Sequence, residues 1–159
     1  MRHEMRQVEI FREKPEHLGD FIDTVGIYLF HEGHLLYLKY ASCKPDDLKG
    51  RWGVPAGKIH KDEVPEAGAR RELYEETGIA LDTLEEVGSL FFRKPGCQFR
   101  FILFYSTINT TPAIDLSVEH CEYQWVTPHE ALRLALVDGA DDALEFVLDK
   151  LDMALPLSG

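Results

Sequence analysis

Two runs early in the chain, Thr24 to Phe30 and His34 to Tyr40, are dense in aliphatic and aromatic residues, and Glu32-Gly33 between them suits a tight antiparallel turn. They predict a hairpin. Ala41 to Gly50 follows with Pro45, Asp46, Asp47 and Gly50, the residues of a surface loop, and loops on rigid scaffolds often carry specificity. Trp52 to Ile59 predicts a short strand interrupted by Pro55 and Gly57. Pro65 to Thr77, PEAGARRELYEET, is strongly helix-forming, with Pro65 suited to the first helical position and Gly78 to a left-handed cap. Val87 to Arg93 and Gln98 to Ile108 predict a second strand pair around Lys94-Pro95-Gly96, and Glu122 to Val126 a last short strand. Thr127-Pro128-His129-Glu130 is a capping box that opens a helix running to about Leu136. A final amphipathic helix spans about Asp141 to Met153, with Leu144, Val147, Leu148 and Leu151 on one face. Residues 1–20 form a polar lead-in. No linker divides the chain, so residues 1–159 are expected to form one α+β domain.

Composition narrows the function more than the fold. At 159 residues, with 45% hydrophobic and 28% charged side chains, the chain is long enough for a self-sufficient core. A formal net charge of -11 without a basic stripe argues against nucleic-acid binding, and an anionic substrate would need a metal bridge. Cys43, Cys97 and Cys121 lie far apart with no CxxC pair, which argues against a zinc knuckle or a disulfide framework. The N-terminus is polar, and apolar runs such as FILFY at 101–105 are too short to cross a bilayer, so a soluble cytoplasmic protein is expected. A strand-rich domain of this size is compatible with a homodimer, with Met1 to Asp20 available for the interface.

The chemistry is concentrated on the first helix. At roughly 100° per residue, Glu75 and Glu76 fall near roughly -60° and +40° from Glu72, so three carboxylates share one face. Like charges at this spacing destabilise a helix by a few tenths of a kcal/mol per pair, a local penalty unless a cation sits there. Gly68, one turn earlier on that face, costs up to about 1 kcal/mol relative to alanine but is expected to leave the space open. Mg²⁺ takes a few carboxylate oxygens and keeps its other octahedral positions for water and phosphate oxygens, which suits holding a diphosphate and activating a water. Arg71 cannot ligate a metal, and its planar fork is expected to hold Glu63 or Glu75 in geometry.

The segment Gly57 to Ile79, GKIHKDEVPEAGARRELYEETGI, resembles the Nudix box, Gly-x5-Glu-x7-Arg-Glu-U-x-Glu-Glu-x-Gly-U with U a bulky aliphatic residue. Every fixed position is filled, by Gly57, Glu63, Arg71, Glu72, Leu73, Glu75, Glu76, Gly78 and Ile79. A chance match is on the order of one in a billion per starting point. The flanks Arg51 to Gly57 and Gln124 to Thr127 are also similar to the family's strand into the box and its last core strand with a capped helix. The resemblance implies an α/β/α sandwich with a mixed sheet, and a pyrophosphohydrolase that uses Mg²⁺ or Mn²⁺ on a nucleoside diphosphate linked to another group. It implies Glu72, Glu75 and Glu76 as metal ligands, with Gly57 at the metal site and Arg71, Glu75 and Glu76 in the catalytic set. A glutamate on a later loop often adds a ligand or the base in this family; Glu119 is the candidate and Glu122 the reserve. Val64 departs from the usual Ser or Thr helix cap, which bears on helix stability rather than chemistry.

The remaining residues are weighed against blander roles. His31, His34, His60 and His120 share no ligand spacing and are not assigned to metal. Lys39, Arg51 and Lys58 are candidates for phosphate contacts or ordinary surface charges. Trp52, Phe91, Phe92, Phe99 and Phe101 are expected in the core rather than against a base. Pro95, sixteen positions beyond Ile79, resembles the proline of relatives acting on ADP-ribose, but Lys94-Pro95-Gly96 is also an ordinary turn. A nucleoside triphosphate, an ADP-ribose-like nucleotide sugar, and a non-catalytic nucleotide-sensing role all stay open at this point.

Overall fold

In strand β2 (Ile22–His31) every residue from Val25 to Phe30 is buried, so both faces of this strand are covered. Val25, Ile27 and Leu29 enter one core with Ala69 and Leu73, while Tyr28 and Phe30 enter another with Leu144, Val147 and Leu148. The alternation of a strand thus serves two helical layers. The computed structural model describes residues 8–153; residues 1–7 of the lead-in and proposed dimer segment, and residues 154–159 of the expected domain, lie outside the described residues.

The other elements, in chain order, are β1 (Glu9–Phe11), β3 (His34–Tyr40), β4 (Trp52–Gly53), β5 (Ala56–Lys58), α1 (Pro65–Thr77), β6 (Glu85–Lys94), β7 (Cys97–Thr107), β8 (His120–Val126), α2 (Pro128–Ala131) and α3 (Ala140–Lys150). The sheet runs β1-β6-β7-β2-β3-β4, with β5 on β2 and β8 on β3. Strands β2 and β7 are parallel while the other pairs are antiparallel, so the sheet is mixed, between α1 on one face and α2 and α3 on the other. The expected α/β/α sandwich is what forms.

A fork in the sheet positions the site. After the turn at Glu32 (φ 48) and Gly33 (φ 78), β2 and β3 pair only at Phe30–Leu35 and His31–His34. Further on they part, β5 pairing with Thr24 to Gly26 and β4 with Leu38 and Lys39. The Trp52 to Ile59 segment, interrupted by Pro55, therefore fills the wedge as two short strands and delivers the chain to α1. Pro65 starts that helix without a side-chain cap from Val64, and Gly78 ends it at φ 78, its N–H donating to the Tyr74 carbonyl at 2.8 Å.

Two expectations need correction. The polar lead-in contains β1, whose Ile10 and Phe11 pair opposite Phe92 and Phe91 at the sheet edge; three residues are too few for a period to appear in sequence. The helix expected from Thr127 to about Leu136 lasts only from Pro128 to Ala131, although its capping box forms. Beyond it the chain pairs with β4, Trp52 N–H donating to the Ala135 carbonyl at 2.8 Å and Val137 N–H to the Trp52 carbonyl at 3.0 Å. Backbone bonds to the sheet take the place of helical ones.

Candidate active site

Residues of α1 and β5 meet at the wedge because β5 passes beside the second half of the helix. Glu76 is only 4% exposed, and its Oε1 accepts the Ala56 N–H at 3.1 Å. Burial pushes its carboxyl up from 4.5 to about 9 against that hydrogen bond, with the charges of Glu72, Glu119 and Glu75 adding to the rise. Glu72 is also raised, chiefly by burial. Its carboxylate occupies the space a Cβ on Gly57 would fill. Gly57 is thus a cradle for Glu72.

Gly68 has the same relation to a different residue. A Cβ there would lie 3.0 Å from Glu63 Oε1 and 3.6 Å from Ile59, so the space expected to stay open for a cation is taken by Glu63. Arg71 binds Glu63 through Nε at 2.8 Å and Nη2 at 3.0 Å, and donates from Nη2 to the Lys58 carbonyl at 3.0 Å. Its Nη1 reaches Glu72 and Glu75 at 3.3 Å. Arg71 therefore engages both carboxylates considered for it in the sequence, and a third. These bonds, with the His60 N–H at 2.9 Å, hold the Glu63 carboxyl down at about 2. Among the described residues no three His, Cys, Asp or Glu side chains are gathered so as to hold a metal ion in the present arrangement. The carboxylates repel one another, and Arg71 occupies part of the space between Glu72 and Glu75.

The site opens into a cleft of about 750 Å³. Glu72, Glu75, Glu76, Arg71, Gly57, Lys58 and His60 line one end, and Glu119, just before β8, faces them. The Glu119 carboxylate is held by Lys44 Nζ at 2.9 Å. Tyr40, tilted by 34° against the His120 ring with centroids 4.6 Å apart, lies among Glu76, Glu119 and Glu72, and its hydroxyl is pushed upward mainly by burial. Burial also drives the His120 imidazole down to about 4, so it is neutral near pH 7. Glu122, the reserve for Glu119, pairs instead with Lys39 at 3.4 Å outside the cleft lining.

The far end of the cleft is aromatic. Phe99 stacks on Phe92 with centroids 4.7 Å apart and planes 11° apart, and Phe101 meets both edge-on. Phe101 covers Gly26, where a Cβ would collide with its ring. Phe99 and Phe101, expected in the core, are only half-buried and line the cleft with the buried Phe92, whereas Trp52 is buried and Phe91 packs edge-on against Phe21. Their place on β7 opposite the opening is a tertiary fact that strand alternation does not reveal. Of the cations considered for phosphate, Lys58 lines the cleft; Lys39 pairs with Glu122, and Arg51 lies near Asp138 at 3.8 Å. Lys44 and Lys94 line it as well, and the sequence offered no periodic signal for either. Lys94 reaches Asp47 at 3.8 Å across the mouth. Pro95 sits exposed at the β6–β7 turn outside the lining. No helix among the described residues is long and apolar enough to cross a membrane.

Known proteins share both the sequence and the architecture. An oxidized purine nucleoside triphosphate hydrolase of Mus musculus is 47% identical over 47 residues, covering 30% of this chain and 30% of that protein. An ADPR responsive transcriptional repressor, NtrR, of Acinetobacter baylyi is 32% identical over 120 residues, 69% of this chain and 48% of its own length. The chain thus spans less than half the length of either relative. The crystal structure of the MutT protein from Methanosarcina mazei superimposes with a TM-score of 0.70 at 26% identity, covering 83% of this chain and 94% of that one. The NUDIX domain model matches residues 20–147, which include the complete box, the sheet from β2 to β8, α1, α2 and most of α3. With that match over most of its length, the chain belongs to the Nudix family.

Proposed function

We propose that this chain is a metal-dependent pyrophosphohydrolase that cleaves a phosphoanhydride bond in a nucleoside diphosphate linked to another moiety, with a nucleoside triphosphate as the leading substrate class. One observation carries the reading: Glu76 is a buried carboxylate beside Glu72, itself seated by the absent side chain of Gly57, at the end of a cleft with an aromatic wall. Burying two like charges together is unfavourable unless a cation joins them. The donor set is all oxygen, which suits Mg²⁺ or Mn²⁺, and Glu72, Glu75 and Glu76 with the backbone at Gly57 would hold the ion. When bound, it supplies charge neutralisation at the diphosphate and acidifies water beside it.

The chain's own groups do the rest. Arg71 keeps Glu63, Glu72 and Glu75 oriented. Glu119 faces the box and is suited to complete the ligation of the ion or to take the proton of the attacking water, whose oxygen bonds to phosphorus as the bridging P–O bond breaks and the second phosphate leaves. Lys44 and Lys58 offset phosphate charge, and Phe99 and Phe101 offer faces for a base. The name of the mouse relative supports a triphosphate, including one with a damaged base. The Acinetobacter relative, matched over more of this chain, supports ADP-ribose as the second reading, either hydrolysed or sensed without turnover. Against sensing alone stands the complete glutamate set.

We read residues 1–159 as one catalytic domain. A panel of nucleoside triphosphates, ADP-ribose and nucleotide sugars with Mg²⁺, followed by a coupled phosphatase and colorimetric phosphate detection, tests the proposal. Release from a triphosphate in preference to ADP-ribose is expected. Release from ADP-ribose alone would move the assignment to the second reading, and no release from any compound with either metal would end the enzyme assignment.

A further inference from the structure

Glu119 and Lys44 stand apart from the rest of the acidic end. Glu119 opposes the ionisation of both Glu72 and Glu76, yet it belongs neither to their helix nor to the Arg71 network. Its backbone is tied to the loop after β3, where Ala41 N–H donates to the Glu119 carbonyl at 2.8 Å. Three residues further on, Lys44 returns its ammonium to Glu119 Oε1 at 2.9 Å while lying 5.8 Å from the centroid of the Tyr40 ring. The Lys44 side chain is 24% exposed and lines the cleft. Its charge therefore lines the space for substrate while paired with a carboxylate that the box repels.

We propose that Lys44 is a positioning residue for Glu119: in the nucleotide-free protein it holds the Glu119 carboxylate in an ion pair, and the phosphate oxygens of an arriving nucleotide draw the ammonium away and release Glu119 to the divalent ion. The inference rests on the function proposed above. Two competitions drive the exchange. A phosphate with more than one negative charge is a stronger partner for an ammonium than a single half-exposed carboxylate, and a divalent ion is a stronger partner for that carboxylate than a lysine. Until nucleotide arrives, Lys44 supplies the positive charge that Glu119 lacks, and full ligation is coupled to substrate.

The test is Mn²⁺ titration by calorimetry of the nucleotide-free protein as wild type, Lys44→Met, Lys44→Arg, Glu119→Gln and the double variant Lys44→Met/Glu119→Gln. Freed of its partner, Glu119 in Lys44→Met is expected to tighten Mn²⁺ binding roughly fivefold, the range of one exposed ion pair. Lys44→Arg should bind as wild type does. In the double variant the gain should vanish, because a through-space effect of the lost charge would persist without Glu119 whereas release of Glu119 cannot. On the substrate of the nucleotide panel, Lys44→Met should raise KM about tenfold with a smaller change in kcat, as expected for a lost charge-assisted phosphate bond. Unchanged Mn²⁺ affinity in Lys44→Met, or a gain that survives in the double variant, would overturn the role of Lys44. Wild type that neither binds Mn²⁺ nor hydrolyses any nucleotide would bring down the proposed function itself.

Discussion

The wall of the cleft that carries Glu72, Glu75 and Glu76 and the wall made of the 41–51 loop, Glu119 and the β6–β7 turn differ in what holds their charges. On the first, Glu76 is fixed by a backbone N–H, Glu72 by the vacancy at Gly57, and Glu63 by a bidentate arginine over Gly68. On the second, the fixings are the ion pairs Lys44–Glu119 and Lys94–Asp47, with the carboxylates about half exposed. Exposed pairs of this kind contribute at most about 1 kcal/mol and yield to a stronger partner. On the first wall Glu76 and Glu72 are seated against backbone, and Glu63 is held by two bonds from one arginine. The second is held by side chains alone, so under the proposed release of Glu119 it is the wall that changes partners when substrate arrives.

That contrast is broken most severely by Glu76→Gln. If Glu76 positions the divalent ion as proposed, its loss forfeits several kcal/mol of transition-state stabilisation, so kcat should fall on the order of a thousandfold. The same change removes a carboxyl that must take up a proton to stay buried, and the thermal midpoint in chelator near pH 8 should rise by about 4 °C or more. Next comes Gly57→Ala, whose methyl group would occupy the seat of Glu72. A displacement of about 1 Å there should reduce kcat about a hundredfold, with Mn²⁺ affinity falling in parallel in calorimetry. Phe99→Ala should act only on the second wall, raising KM about tenfold through lost base stacking while Mn²⁺ binding without nucleotide stays as in wild type. The smallest effect should come from Asp47→Asn, at most about 1 kcal/mol in urea denaturation. A loss several times larger would show that the second wall is held as firmly as the first.

Acidity sharpens the same contrast. Because burial lifts Glu76 from 4.5 to about 9, the fold favours its protonated form, and the stability this brings is complete below about pH 4.5 and lost as pH rises toward 9. In chelator the thermal midpoint should therefore decline between pH 5 and 9, with Glu76→Gln removing that share of the decline. Glu63, held down at about 2, contributes stability above pH 4.5 that disappears only as pH falls toward 2.

How much of this could be read from the chain differs between the two walls as well. The first is local in sequence: the spacing of Glu72, Glu75 and Glu76, Pro65 at the helix start and Gly78 at its end are all signals within one segment. The residue that Gly68 accommodates was not legible, since Glu63 reaches it only after the loop folds back onto the helix. The second wall is assembled from residues as far apart as Lys44 and Glu119, or Asp47 and Lys94. No period links such positions, and Phe99 and Phe101 look in sequence like any strand aromatics. The shortened α2 has the same cause, since its last turn is given up for backbone bonds to Trp52, a partner distant in the chain.

The central claim is that Glu76 is buried to meet a divalent cation, and thermal unfolding at pH 8 with and without Mn²⁺, on wild type and Glu76→Gln, tests it most directly. Wild type should be the less stable of the two in chelator and gain several degrees with Mn²⁺, while the variant, lacking the buried carboxyl that the ion would ionise and bind, should gain much less. No Mn²⁺ shift in wild type, or an equal shift in both proteins, would contradict it.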